Sequence, residues 1–370
     1  MKKSLIALAA VAASGAAFAQ SSVTVFGVVD EAVSYVNGAD NWNGLNAGGN
    51  QTSRLGFRGV EDLGNGLKAN FWLEAGLTPD NGSGKSGYSA NEVAGDGLAF
   101  KRRATVGLSG NFGEVRMGRE TTAAYNATSR YDVFGQVGFG VSRLWADGGL
   151  SADAASTTTQ RVNNMVTYLS PDFAGFRANV NYGFGEVAGD NSAGRYFGGG
   201  LTYDNGPLSL GLSAERQNTL RRVTSAGVLY PVADNRDVTA WALGGSYNFG
   251  VAKLAAAYRD SSAKDDVTGL KDKMKGYYIG VSAPVGAAGE VKFSYNRYEN
   301  KFEDFKLKAD QFALGYVHNL SKRTAVYGTY AYIKNKNNEG ENLGISLQSG
   351  VALKDNGSQH GLQVGIRHAF

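Results

Sequence analysis

The chain has 370 residues, with 37 Lys plus Arg against 33 Asp plus Glu for a formal net charge of +4, no cysteine and only 5 prolines. So even a balance gives no basis for nucleic-acid binding, and without cysteine there are neither disulfide staples nor thiolate metal sites. The 52 glycines, about twice the usual share, stand beside 19 tyrosines and 18 phenylalanines, which argues against disorder and suits a large sheet with tight turns.

In chain order the first element is a leader. Lys2 and Lys3 form a basic start, Leu5 to Ala13 a short apolar core and Ala17-Phe18-Ala19 a small-x-small cleavage site. Residues 1–19 are therefore expected to be removed during export, leaving 20–370 as one domain that begins at Gln20. Loss of Lys2 and Lys3 lowers the balance to 35 basic against 33 acidic residues, or +2. No later segment approaches the roughly 18 to 20 apolar residues that a spanning helix needs.

From Val23 onward the signal is period 2. Phe176, Ala178, Val180, Tyr182 and Phe184 alternate with Arg177, Asn179, Asn181 and Gly183, so one face is apolar and the other polar. The same split recurs at Leu208 to Ser213, Val291 to Asn296 and Leu362 to Arg367. Seven short connections rich in Gly, Asn, Asp and Pro read as hairpin turns: 61–66, 109–113, 170–175, 204–207, 248–251, 284–289 and 318–323. Eight long polar ones lie near 37–51, 79–98, 120–160, 186–194, 220–236, 261–273, 299–306 and 335–357. Together they separate sixteen strands, most about 9 to 12 residues long, the length at which a tilted strand crosses a bilayer.

Short turns at one end and long loops at the other are the layout of a transmembrane barrel. The fold class is therefore an all-β, 16-stranded antiparallel transmembrane β-barrel with short periplasmic turns and long extracellular loops. Phe112, Phe173, Phe176, Tyr247, Phe249 and Phe370 beside the short turns fit an interfacial girdle, and closure removes exposed strand edges. A soluble sandwich would not sort its loops by length, and the fixed short repeat of a β-helix is missing. The longest connection, Glu120 to Gln160, has 41 residues without a period of its own, and connections of that kind are usually functional. It is read as folding into the hole of the barrel.

The chain resembles the general diffusion porins of the Gram-negative outer membrane, of the β-proteobacterial type, over nearly its whole length. The resemblance is carried by Val23-Thr24-Val25-Phe26-Gly27-Val28-Val29-Asp30, by the run from Ser53 to Gly66, by Val106 to Gly113, by Asn163-Asn164-Met165-Val166-Thr167-Tyr168 and by the closing Arg367-His368-Ala369-Phe370. It implies a homotrimer with the first strands and the last packed at the trimer interface. It also implies a third long loop forming an eyelet, a C-terminal Phe370 that signals assembly, and an environment of outer-membrane lipid and lipopolysaccharide. The implied function is passive diffusion of small hydrophilic solutes and ions. No cofactor, metal or nucleic acid is expected.

A barrel this wide holds water, and charges on its inner wall set selectivity. Alternation places Arg54 and Arg58 inward on the second strand and Lys68 and Glu74 inward on the third, and puts Arg161 on a face with Asn163 and Thr167. The family's basic cluster corresponds to Arg54, Arg102 and Arg161. Alternation instead favours Arg103 over Arg102 as the inward residue of that pair, and both stay candidates. Where related porins carry a wall lysine, this chain has Val28. Acidic partners are expected from Asp132, Asp147 or Asp153 of the loop and from Glu74. The loop matches the family around Tyr131-Asp132-Val133-Phe134-Gly135 but lacks the usual Pro-Glu-Phe-Gly tip. The excess of basic groups implies a preference for small anions.

Two other function classes stay in view. A substrate-specific sugar or organic-anion channel would want an inward aromatic track, for which Trp72 is one candidate. A barrel hydrolase would need a histidine within reach of a nucleophile. His318 falls in a short turn and His368 near the end on the outward face, which leaves only His360 on the long-loop side. Gly198-Gly199-Gly200 lacks the strand-loop-helix setting of a phosphate loop.

Overall fold

Alternating strands leave unpaired edges unless the sheet closes, and here it closes. The computed structural model describes residues 22–84, 97–145, 160–225, 228–265, 267–302, 305–336 and 342–370, the side chains of 219–235 and 302–305 excepted. The expected leader lies outside the described residues.

The wall is built from β1 (Ser22–Asn37), β2 in two segments (Asn41–Ala47 and Arg54–Gly64), β3 (Leu67–Thr78), β4 (Arg103–Gly110), β5 (Gly113–Thr121), β6 (Arg161–Leu169), β7 (Phe176–Gly183) and β8 (Tyr196–Asn205). It continues with β9 (Leu208–Ser225), β10 (Val228–Asn248), β11 (Lys253–Asp265), β12 (Lys271–Val285), β13 (Gly289–Phe302), β14 (Phe305–Asn319), β15 (Thr324–Lys336) and β16 (Ser358–Ala369). Each strand pairs antiparallel with its neighbours in sequence. β1 closes the ring on β16, from Val28 opposite Ala369 to Asn37 opposite His360. With the split β2 counted once and the two-residue Ser83–Gly84 ladder outside the wall left out, the described residues form sixteen strands.

The seven short turns all fall where turn chemistry places them. The other end differs from expectation in four places. The polar segments near 37–51, 220–236, 261–273 and 299–306 are largely strand. Asn41–Ala47 pairs with β1, and Leu220 to Ser225 pairs with Val228 to Ala233. Strand β11 runs to Asp265 before β12 resumes at Lys271, and Phe302 sits opposite Phe305. Beyond the membrane both faces of a hairpin meet water, so the alternation fades while the ladder still satisfies the backbone. Composition alone therefore reads as loop.

Strand β2 is interrupted rather than bent. Between its segments residues 48–53 leave the wall and fold inward around Asp30, which is fully buried. Its carboxylate accepts the N–H groups of Gly49 at 3.1 Å, Asn50 at 3.0 Å and Gln51 at 2.6 Å, and the hydroxyl of Tyr327. The Asp30 amide donates to Ser53 Oγ at 2.9 Å.

Outward faces are apolar and bare, with Phe112, Phe173, Phe176, Tyr247, Phe249 and Phe370 all exposed beside the short turns. The largest buried apolar cluster is inside the ring. There Tyr131, Phe134, Phe139, Leu144 and Trp145 of the third loop pack on Val36, Ala255, Met274, Tyr278, Tyr298, Ala313 and Ile333 of the wall.

Candidate pore constriction

The third loop begins where β5 ends. Thr122 caps the short helix α1 (Ala123–Thr128), its Oγ1 accepting the amide of Tyr125 at 3.1 Å. A 3₁₀ turn over Ser129–Tyr131 follows, then a tip built on Asp132. The carboxylate of Asp132 accepts the amides of Phe134 at 3.0 Å, Gln136 at 3.1 Å and Ser142 at 3.1 Å, plus Gln136 Nε2 at 2.7 Å. Gly135 and Gly138 take φ of 67° and 64°, which a glycine adopts without strain.

Polar side chains of the far wall then pin the loop. Tyr278 OH accepts from the Val133 amide at 2.8 Å and Tyr298 OH from the Arg143 amide at 2.9 Å. Ser142 Oγ donates to Asn296 Oδ1 at 2.6 Å, while Gln311 Nε2 donates to the carbonyls of Phe139 and Val141 at 3.1 and 3.0 Å. Trp145, 1% exposed, donates to Thr128 Oγ1 at 3.0 Å. Inward glycines make room for the loop. A Cβ at Gly244 would collide with the Tyr131 ring, one at Gly276 would lie 2.8 Å from Leu144 Cγ, and one at Gly315 2.7 Å from Phe134 Cε1. Period-2 reading marks these positions as inward but cannot say that something must lie against them.

Between the loop tip, the 48–53 excursion and the wall is a cavity of about 730 Å³. Arg54, Arg102, Arg161, Arg143, Lys292 and Arg367 line it on the basic side, and Asp132 lines it with its carboxylate already engaged. Glu74, 9% exposed, sits behind the arginines: Arg102 Nε donates to its Oε1 at 2.5 Å, Arg54 Nε lies 4.0 Å away, and Trp72 Nε1 donates to Oε2 at 3.1 Å. Arg161 Nε donates to the carbonyl of Arg102 at 2.9 Å. Val28 is buried beside them, opposite Arg54 in register.

The two arguments about Arg102 and Arg103 concern different backbones. Arg103 is the first residue of β4 and takes the inward face with Thr105, its guanidinium 4.6 Å from the Trp72 ring centre and 3.9 Å from Glu120. Arg102 precedes the strand, so alternation does not govern it, and it reaches the cavity. Arg58, exposed, stacks over Phe26 at 5.3 Å and Trp72 at 5.2 Å rather than lining the cavity. Trp72 is thus occupied by guanidinium groups. Lys68 is exposed next to the short turn. Asp147 and Asp153 lie outside the described residues.

One alignment of faces does not hold. Arg161, Asn163 and Thr167 do not share a side, because the register shifts between Gly118 and Glu120 opposite Met165 and Val162, with Asn164 at φ 55°. Thr167 is buried and accepts from Asn181 Nδ2, whereas Asn163 is exposed and accepts from Arg119. A bulge of one extra residue, with Asn163 and Asn164 both opposite Arg119, resets the phase.

The three histidines lie apart. His318 meets Tyr316 OH at 3.2 Å, His368 meets Thr324 Oγ1 at 2.9 Å, and His360, in β16 rather than a loop, meets Asn37 Oδ1 at 3.0 Å. Among the described residues no three His, Cys, Asp or Glu side chains gather as a metal site.

Comparison with known proteins agrees with this architecture. The profile of a family described as Gram-negative porin matches residues 5–338. The chain is 47% identical to outer membrane porin protein 32 of Delftia acidovorans and 33% identical to an outer membrane porin of Bordetella pertussis, in each case over 100% of both chains. Among solved structures it is similar to the anion-selective porin from Comamonas acidovorans, with a TM-score of 0.77 and 43% identity over 95% of this chain and 100% of that one.

Proposed function

The chain belongs to the Gram-negative porin family and is a passive channel of the outer membrane, and from that premise we propose that it prefers small anions and selects them at the cavity beside the third loop. The carrying observation is the lining. Among the described residues six basic side chains face the cavity, whereas the one lining carboxylate, Asp132, accepts four hydrogen bonds from its own loop. In a narrow, poorly screened space such an imbalance raises the local concentration of anions. Arg54, Arg102 and Arg161 are assigned the main part. Arg58 and Arg103, stacked on Trp72, act as a further basic station, with Glu74 as the counter-charge that orients Arg54 and Arg102. The resemblance to a porin titled anion-selective supports the same reading.

Reversal potentials in a salt gradient test it: a permeability ratio favouring chloride over potassium is expected, and a cation preference overturns it. Liposome swelling separates general diffusion, with a smooth fall of rate with solute size, from a saturable sugar or organic-anion site.

The assembly is read as a homotrimer centred on β1 and β16. In support, Val23 and Val33 on the outward face of β1 are 68% and 66% exposed in the single chain, as is Val364 at 56% on β16. Phe370 is read as the assembly signal. Its amide and carbonyl both pair with Gly27 at 3.1 Å, joining the last residue to the first strand.

A further inference from the structure

Below the cavity beside the third loop, the inner wall carries a second basic group of different construction. Arg54 and Arg58 stand on one face of β2, four residues apart, which puts Arg58 about 13 Å nearer the short-turn end. Beside it two rings form a corner of the wall. Phe26 of β1 lies over Gly56, where a Cβ would be 2.2 Å from Phe26 Cζ, and meets Trp72 of β3 edge-on, the ring centres 5.0 Å apart at 64°. Trp72 is fixed in turn by its hydrogen bond to Glu74 at 3.1 Å. Both rings are only half-buried, so part of each stays accessible.

Arg58 rests on both rings, 5.3 and 5.2 Å from their centres, and Arg103 reaches the Trp72 ring from β4 at 4.6 Å. How an arginine is held decides what it can still bind. Arg116 on β5 donates from Nε and both terminal nitrogens to Glu114 and Glu120, so its charge is already met. A guanidinium stacked on a ring is held through its face instead, which leaves its in-plane fork of N–H donors and its charge available. Arg58 is held in that second way, and it is exposed.

We propose that Arg58, Phe26 and Trp72 form a binding site for aromatic carboxylates on the short-turn side of the constriction. The carboxylate is taken in-plane by the Arg58 fork, with Arg103 adding charge, and the solute's ring packs on the accessible parts of Phe26 and Trp72. Chloride uses the charge but not the rings, and a neutral sugar the rings but not the charge. The proposal rests on the anion-preferring reading of the channel, which brings such solutes into the lumen.

The test records single-channel chloride current in planar bilayers while benzoate, cyclohexanecarboxylate, gluconate or acetate is added. Benzoate is expected to reduce the current saturably, at a half-blocking concentration roughly three- to tenfold below those of the others, the range that aromatic pairing contributes. Phe26→Leu and Arg58→Gln should each bring benzoate to within twofold of acetate, and Phe26→Tyr should retain the preference. Arg54→Gln, at the constriction, should weaken block by all four carboxylates alike. If Phe26→Leu does not assemble, Trp72→Leu is measured in its place. The proposal is overturned by equal block from benzoate and acetate in the wild type, by cyclohexanecarboxylate or gluconate matching benzoate, by a preference that survives either Phe26→Leu or Arg58→Gln, or by one that Arg54→Gln abolishes. The chloride-to-potassium permeability ratio of the wild type is measured on the same channels. A chloride-selective channel without a benzoate preference removes this site alone, whereas a cation-selective channel removes the reading beneath it.

Discussion

Arg54 shows what one inward charge does. It faces the cavity from β2 and is held 4.0 Å from Glu74, whose stronger partner is Arg102. A unit charge roughly 7 Å from a passing ion in high-dielectric water is worth about 0.6 kcal/mol. Screening at about 0.1 M roughly halves that value, and its sign is opposite for anion and cation, so Arg54→Ala should lower the anion-to-cation permeability ratio about two- to threefold, measured by reversal potential. The ratio of the wild type should also fall as the bath is raised from about 0.1 to 1 M salt, because the Debye length shrinks from about 10 to 3 Å. Asp132 makes the opposite point. Its place in the third loop and the family likeness nominate it as a pore acid, yet it is 5% exposed and holds the amides of Phe134, Gln136 and Ser142. Asp132→Ala leaves those donors unmet, at about 1–3 kcal/mol for a buried group. The expected outcome in planar-bilayer recording is a noisier channel with a shifted conductance, and an unaltered trace would count against a shaping role.

The elements divide into a wall and a third loop that the sequence announces, and an inward excursion at 48–53 that it does not. The third loop is tied to residues far along the chain, as Ser142 is to Asn296 and Phe139 to Gln363, where a carbonyl of the Gln363 side chain accepts the amide at 2.8 Å. Its seat depends on missing side chains. Gly244→Val should overpack the site against Tyr131, at about 1–3 kcal/mol, and push the loop away from the wall. A folded, heat-modifiable barrel with changed unitary conductance is expected, and wild-type conductance would show that the seat is not needed. The excursion at 48–53 hangs on Asp30 in the same way. Asp30→Ala should free it, and protease nicking near Gln51 in the folded barrel is the readout.

For the whole molecule, closure and partnership are separate questions. The ring closes through the β1 and β16 ladder and the reciprocal Phe370 and Gly27 hydrogen bonds. Phe370→Ser should thus reduce the yield of assembled barrel in the outer membrane while leaving refolding in detergent largely intact, if the residue acts as a signal rather than a staple. The bare outward face of β1 bears on the proposed trimer. Val33→Lys places a charge on that face, at a cost on the order of 2–4 kcal/mol where lipid or a neighbour covers it. Trimers should then dissociate at a lower temperature on gels while the monomer barrel survives.

The sequence by itself determined the strand count, the sorting of turns from loops and the inward face of most strands, because a two-residue period is local and survives wherever one face meets lipid and the other water. It misled where that contrast disappears: Lys264 and Asp265 continue a strand above the membrane, and Arg102 stands one residue before β4, outside the alternation it had seemed to violate. Tertiary structure alone decided what the inward side chains and the third loop meet. The phase reset at Asn163 and Asn164, the burial of Asp132 and the glycines beneath Tyr131, Leu144 and Phe134 each depend on contacts between segments that alternation treats one at a time. Local periodicity fixes which way a side chain points, but what it meets there is set by the closure of the ring and by what folds into it.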